Sequence, residues 1–440
     1  MRFVLTRRFY VLLALGIVPL LFAWGSSWLA YAVLAYDILL VAGAAGDYLF
    51  SRNLPEELTI ERSFSGRFAI GDPTEVTITI KNASARSYLM RVKDQYPAAL
   101  VLSGEREFEA LVRAGTNASS SYELTPPRRG RYEFGTTAVR VYSRLGLVWV
   151  QGELGSEDEI KVYPNMRRAR EMELKALGAN AYLAIQRKSL RRGDGREFES
   201  MRDYVRGDEL RHISWTTTAR RAKLTTRQYQ IERDQAVVIA LDAGRLMTAR
   251  IGNETKFDTA IHASLALMSA AAKGGDNCGL VVFGRKVRKY LPPKKGISHI
   301  DGILEALHDL EPELIEPSYS RAFRFIAANS KKRSFVIILT DLIDKESSRE
   351  LIDSLRLLRP RHLPLVVTIG DRDLNATVSD TPRDIDEVFV QSAAEEIILQ
   401  RDSALRQVET LGGLALDVTT QTLAPSLLET YLRVKERGLL

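Results

Sequence analysis

The chain of 440 residues carries a single cysteine, Cys278. No disulfide can form within it, so packing and hydrogen bonds alone must hold the fold. Cys278 stands before the apolar run Gly279 to Phe283 and reads as a small buried hydrophobe in a reducing compartment. Histidine is nearly as scarce: His212, His262, His299, His308 and His362 are the five, and none sits in a GxSxG or HExxH context. A hydrolase needs a nucleophile with a base in reach, so a hydrolytic enzyme of unknown substrate stands only as the alternative to a binding protein. No glycine-rich phosphate loop follows the first buried strand of the C-terminal half. The run Asp242-Ala243-Gly244-Arg245-Leu246 fits neither GxGxxG nor a Walker pattern, which argues against a nucleotide enzyme. Residues 57–164 hold no histidine and only scattered carboxylates, and so no catalytic constellation.

What is present points to several domains. A chain of this length exceeds one ordinary core, while 45% hydrophobic and 27% charged residues are normal for globular protein. The net charge of +7 is concentrated: Arg187 to Arg233 holds 13 Lys/Arg against 7 Asp/Glu. Such a patch can meet nucleic acid, anionic lipid or an acidic protein, or be a solvated face with internal ion pairs. Nucleic-acid binding is the weaker reading, because no helix-turn-helix, finger or stacking platform accompanies the charge.

The first 50 residues read as a transmembrane hairpin. Phe9 to Trp24 and Trp28 to Gly46 are apolar runs near the spanning length, joined by Gly25-Ser26-Ser27 and interrupted only by Asp37. Trp24 and Trp28 suit one interface. Arg2, Arg7 and Arg8 before the first run, with Arg52, Arg62 and Arg67 after the second, keep both ends in the cytoplasm by the positive-inside rule. A signal peptide would show one such run and a small-residue cleavage site; the second run, three residues later, favours a retained hairpin. Asp37 inside a span marks either a helix–helix contact or a polar residue tolerated at its depth.

From residue 55 to 165 the period changes to two. Glu75 to Lys81 alternates with Val76, Ile78 and Ile80 on one face. About eight such runs, separated by turns such as Gly71-Asp72-Pro73, predict an antiparallel β-sandwich. Residues 166–196 read as a charged linker, helical from Met166 to Gln186 and ending in the loop Arg191-Arg192-Gly193-Asp194-Gly195.

Residues 197–440 form the last region. Arg206-Gly207-Asp208 is a turn, and Asp208 can cap a short helix from Glu209. Arg211, Trp215, Ala219 and Arg220 follow at helical spacing. These residues can form a self-satisfied clamp, with Trp215 buried and Asp208 paired to Arg211, or a docking surface for a partner. From Ala236 onward strands and helices alternate, with a long helix expected from Ala393 to Leu411, which predicts an α/β, doubly wound, mostly parallel sheet. Function in such sheets lies beyond the carboxyl ends of the strands, where Asp242 and Asp341 fall. Two aspartates there can hold a hard divalent cation.

This region resembles a von Willebrand factor A domain, a Rossmann-like fold whose metal site combines an Asp-x-Ser-x-Ser loop, a distant threonine and a later aspartate. Asp242 and Asp341 match the aspartates. Gly244 and Leu246 replace the two serines, Ser318 falls near the threonine position, and Arg245 adds a repelling charge. The resemblance thus implies a degenerate metal site, Asp242, Ser318 and Asp341, with magnesium as the ion it would take. Arg202-Asp203-Tyr204, Gly207-Asp208, Arg211, Ile213, Trp215, Ala219-Arg220, Leu224 and Glu232 are similar to the signature of the domain-of-unknown-function 58 family. Arg129-Gly130-Arg131-Tyr132 and Leu145-Gly146-Leu147 resemble the ending of its β-domain, with Ser143-Arg144 in place of the usual Asp-Pro. The resemblance spans nearly the whole chain. It implies a multi-pass cell-membrane protein with cytoplasmic domains, acting as a non-enzymatic adaptor or assembly factor for a MoxR-type AAA ATPase or its client. The motif residues Arg202, Tyr204, Gly207, Asp208, Arg211, Trp215 and Arg220 would then bind the partner.

Overall fold

The computed structural model describes residues 2–19, 27–172, 174, 197–205, 210–230, 235–252, 254–342, 345–370, 372–379, 381–382 and 384–439. The chain divides into two compact units, Met1–Tyr163 and Pro164–Leu440.

The first unit begins with strand β1 (Arg2–Leu5), helix α1 (Arg7–Ile17) and helix α2 (Ser27–Ser51). Thr6 caps α1 by accepting from the Phe9 amide, and its own hydroxyl donates to the Gly146 carbonyl at 2.6 Å. The apolar run expected to span from Phe9 to Trp24 is helical to Ile17, and residues 20–26 lie outside the described set. Among the described residues one helix, Trp28–Ser51, is long and apolar enough to cross a membrane. At ~1.5 Å per residue, α2 runs about 37 Å, more than a ~30 Å hydrocarbon core. Glycine brings α1 and α2 together: a Cβ on Gly16 would collide with the Tyr36 ring and lie 3.4 Å from Asp37 Oδ1. Tyr36 donates to the Leu12 carbonyl at 3.0 Å. Asp37 therefore lies at the helix–helix contact.

The rest of the first unit is β: β2 (Leu58–Phe64), β3 (Phe68–Ala69), β4 (Thr74–Asn82), β5 (Tyr88–Lys93), β6 (Val101–Ser103), β7 (Glu107–Val112), β8 (Asn117–Thr125), β9 (Gly130–Phe134), β10 (Thr137–Tyr142), β11 (Val148–Leu154) and β12 (Asp158–Tyr163). Three sheets result, ordered β1-β11-β10-β5-β7, β2-β4-β8-β6 and β3-β12-β9. Their inner faces share one core, with Val76, Ile78 and Ile80 inside as the alternation requires. Pairing is antiparallel except for β3 with β12. Within this core Arg62 reaches Asp94 and Asp158, both at 2.6 Å, and its guanidinium sits 4.6 Å from the Phe134 ring centroid. A buried charge needs such partners, because desolvation alone would expel it.

In the second unit a small hairpin pairs β13 (Glu197–Asp203) with β14 (Thr225–Gln230), and helix α3 (Trp215–Arg221) lies between them in sequence. The main sheet follows: β15 (Ala236–Asp242), a two-residue pair β16 (Arg250–Ile251) and β17 (Glu254–Thr255), then β18 (Asn277–Phe283), β19 (Val287–Lys294), β20 (Ser334–Thr340), β21 (Leu363–Gly370) and β22 (Leu414–Thr419). Its six strands run β19-β18-β15-β20-β21-β22, parallel except at the β18–β19 edge. Pro292 and Pro293 lie inside β19, which only an edge strand tolerates. Helices α4 (Lys256–Lys273), α5 (Ile297–Leu307), α6 (Tyr319–Asn329), α7 (Lys345–Leu355), α8 (Arg372–Ser379), α9 (Ile385–Thr410) and α10 (Leu423–Glu436) complete the unit. One sheet face packs on α6, α7 and α9; α4 and α10 pack on the other. With both faces covered, β15 and β20 are buried along their whole length.

Several elements differ from the sequence reading, the β13–β14 pair among them. The helix expected from Ala393 begins at Ile385, because the Asp384 side chain accepts from the Glu387 amide and caps it two turns earlier. The helix α8 has no counterpart in the sequence reading. Residues 175–196, most of the expected linker, lie outside the described set.

Candidate functional site

Two places answer to the residues singled out in the sequence. The first is the carboxyl end of the main sheet, where β15 and β20, neighbours in the ladder, deliver Asp242 and Asp341 side by side. Asp242 is buried. Its Oδ1 accepts from the Gly244 amide at 2.7 Å, and its Oδ2 accepts from Thr340 Oγ1 at 2.6 Å and Tyr319 OH at 3.2 Å. Burial pushes its carboxyl up to about 6 against these three bonds, and Asp341 adds to the rise. The Tyr319 hydroxyl is driven well above its ordinary range by burial and by the Asp242 carboxylate.

Asp341 is completely enclosed, yet it carries two cations. Lys256 Nζ lies 2.5 Å from its Oδ2 and Arg401 Nη2 2.8 Å from its Oδ1, which also accepts from the Leu342 amide at 2.9 Å. Lys256 is the first residue of α4, beside a Thr255/Asp258 capping box. Arg401 comes from the buried side of α9 and also donates to the Leu342 carbonyl.

This constellation does not fit the magnesium site implied by the resemblance. A hard dication needs six or more oxygens in reach. Here every carboxylate oxygen is engaged, and Lys256 and Arg401 stand where a second positive charge would have to enter. Ser318 occupies the position before α6, and its hydroxyl donates to Glu350 at 3.3 Å, while the neighbouring Tyr319 is the residue that bonds Asp242. The missing serine at 244 has a packing cause. A Cβ there would lie 2.7 Å from Pro317 Cδ and 3.0 Å from both Asp242 Oδ1 and the Ile315 carbonyl. Arg245 turns outward to Glu316 at 2.7 Å. Among the described residues no three His, Cys, Asp or Glu side chains gather as metal ligands.

The sequence reading missed Thr340, Tyr319, Lys256 and Arg401. A signal existed for two of them. Lys256 opens a helix that is buried along most of its length, and Arg401 shares a helical face with Ala394, Ala404, Leu405 and Val408. A cation on a core-facing stripe requires a buried partner.

The second place is the small hairpin. Arg202 and Asp203 of β13 pair with Thr226 and Thr225 of β14. Tyr204, half-buried, donates its amide to the Leu224 carbonyl at 2.8 Å. The chain then crosses back: the Ser214 amide bonds the Thr225 carbonyl, and Thr218 Oγ1 accepts from the Thr225 amide. These bonds fix α3 by its threonine side and leave the other side outward. No α3 residue is buried, Trp215 is 67% exposed, and Arg220 and Arg221 are exposed in its last turn. The buried clamp is thus corrected at its centre, because Trp215 faces solvent. Gly207 and Asp208 lie outside the described residues, and so does the side chain of Arg211, whose backbone forms a 3₁₀ turn with Leu210 and His212. Leu210 beside it is as exposed as Trp215.

Comparison with known proteins places the same region. The family described as "Protein of unknown function DUF58" matches residues 200–380. The uncharacterized protein YeaD of Bacillus subtilis is 21% identical over 295 residues, covering 63% of this chain and 68% of that protein. The uncharacterized protein Rv1480 of Mycobacterium tuberculosis is 22% identical over 219 residues, covering 49% and 66%. Among solved structures, proximal thread matrix protein 1 from the mussel byssus is 13% identical with a TM-score of 0.27, covering 47% of each chain. The PapD-like domain 7 of human CEP192 is 11% identical with a TM-score of 0.18, covering 26% of this chain and 91% of the domain. These scores are too low to carry a fold or a function across.

Proposed function

We propose that the chain is a membrane-anchored, non-enzymatic adaptor that docks a protein partner through the face presented by residues 210–224. The carrying observation is the exposure of Trp215 and Leu210 on a rigidly tied hairpin, framed by Arg220, Arg221 and Lys223. A large aromatic left in water beside arginine is the composition of an interface anchor rather than of a core. The partner we favour is a MoxR-type AAA ATPase or its client.

The second unit is read here as von Willebrand A-like. What supports this is the mostly parallel sheet with Asp242 and Asp341 at adjacent carboxyl ends. In this reading Lys256 and Arg401 have taken the place of the ion, and binding proceeds without one.

The first unit supports a two-helix hairpin with both ends on one side. β1 pairs with β11 ahead of α1, Leu5 opposite Val148. At the other end of the hairpin, Asp47 of α2 accepts from Ser143 Oγ and from the Leu145 and Leu147 amides at 3.0 and 3.1 Å. Entry and exit are stitched to one short segment, 143–148, which supports an even number of crossings. The arginines at both ends put that side in the cytoplasm.

A photoreactive residue at position 215, activated in native membranes, tests the reading. Recovery of a AAA ATPase on the crosslinked product is expected. A product containing neither an ATPase nor a protein bound to one overturns it.

A further inference from the structure

The helix α9 has two apolar sides, and the fold uses one. Ala394, Arg401, Ala404, Leu405 and Val408 face the sheet and are buried. Ile385, Val388, Phe389 and Leu399 fall at spacings of three, four and fourteen from the first, on the opposite side, and all are exposed. Arg401 meets Asp341 at the carboxyl end of β20. The sixteen residues before Arg401 continue about 24 Å past that contact, and among them only Ala394 is buried. The helix α8 packs beside this stretch, Gln391 donating to the Val378 carbonyl at 2.9 Å, yet the four apolar side chains stay exposed. Exposed apolar side chains at helical spacing are anchors for something that binds along the helix.

Charge selects the occupant. From Asp384 to Gln400 the sequence holds five acidic residues, Asp384, Asp386, Glu387, Glu395 and Glu396, and no lysine or arginine. From Leu210 to Leu224 it holds four basic residues, Arg211, Arg220, Arg221 and Lys223, and no acidic one. One surface is apolar with an acidic rim, the other apolar with a basic rim, and both are open in the same chain. Anionic lipid would repel the acidic helix. We propose that the outward stripe of α9 docks on the Trp215 face of a second copy of this chain. The contact is heterologous, tail of one copy to head of the next, so it extends into rings or rows rather than stopping at a two-fold dimer. Anchoring in one bilayer holds the copies at the same height and raises their effective concentration. The proposal rests on the Trp215 face being a docking surface.

The test uses the full chain in native membranes and two singly substituted forms, Trp215→Cys and Phe389→Cys. The resident Cys278 is buried and does not compete. Co-expressed and oxidised, the two forms should yield a disulfide-linked dimer joining position 215 of one to position 389 of the other. Adding Glu395→Arg and Glu396→Arg to the Phe389→Cys chain should cut its yield about tenfold, and adding Arg220→Glu and Arg221→Glu to the Trp215→Cys chain should restore it. Only 389–389 or 215–215 products, or a yield indifferent to both charge reversals, would overturn the proposal. A Trp215→Cys chain that joins a different polypeptide and never the Phe389→Cys chain overturns self-docking and leaves the adaptor reading standing. A Trp215→Cys chain that joins nothing ends both.

Discussion

Lys256 and Asp341 form an ion pair at 2.5 Å in which neither side chain is more than 5% exposed. The lysine is the first residue of its helix, where the helix dipole disfavours a positive charge. Only the enclosed carboxylate, shared with Arg401, offsets the burial of that charge. The carboxyl end of the main sheet therefore carries its own fixed cations.

Removing one partner of this pair exposes the other to burial without compensation. Lys256→Met should destabilise the second unit by about 3–5 kcal/mol, read by urea denaturation of the purified chain. Replacing both partners, Lys256→Met with Asp341→Leu, should recover part of the loss. A single variant as stable as the parent would show that the pair contributes nothing.

A site that supplies its own cations does not need an ion. The denaturation midpoint should be the same in millimolar magnesium and in excess chelator, since a ligand stabilises only in proportion to its occupancy. Stabilisation by magnesium that disappears in Asp242→Ala would reverse this conclusion.

Asp242 gives the fold a pH dependence of known sign. Its carboxyl is raised by burial from 3.8 to about 6, so the native state holds this proton more tightly than the unfolded chain. Its contribution is full below about pH 4, is lost as the pH rises to about 6, and is level above that. The displacement of about two pH units corresponds to about 3 kcal/mol at most. Asp242→Asn should flatten the stability profile in that window. An unchanged slope would mean that another group titrates there.

Trp215 offers the opposite kind of test. Because it is exposed, Trp215→Ala should leave the denaturation midpoint within about 0.5 kcal/mol of the parent while lowering partner capture severalfold. A large loss of stability would mean that the ring is packed.

Asp47 ties the end of α2 to the 143–148 segment through three donors. Asp47→Leu should leave those donors unpaired and cost about 2–4 kcal/mol. The expected sign is faster proteolytic cleavage near Arg144 in membrane-bound chain. Unaltered cleavage would mean that the segment is held by β10 and β11 alone.

Periodicity served the sequence reading well where burial is periodic. Val76, Ile78 and Ile80, or the unbroken apolar runs of β15 and β20, declare their surroundings residue by residue. The aspartates at the strand ends were also legible, because strand ends follow from the runs. Their partners were not. Lys256 stands 85 positions from Asp341 and Arg401 stands 60 away, and nothing local says that their charges turn inward to one carboxylate. The start of α9 was missed for a related reason: Ile385, Val388, Phe389 and Val390 look like strand or core, whereas the fold leaves them in water. Whether Trp215 is buried likewise depends on how Thr218 and Ser214 tie the hairpin, which spacing alone does not encode.

The stitch between β1 and β11 also bears on the order of assembly. Thr6 leaves the ribosome well before the carbonyl it bonds, Gly146, which follows 140 residues later. The five-stranded sheet thus stays open at one edge until both helices and ten further strands have been made. A loop of that size closes slowly, and until it does β11 presents a free row of amides and carbonyls. The strand β1 works as a latch: the sheet is sealed only in chains that have brought residues 2–5 against residues 148–151.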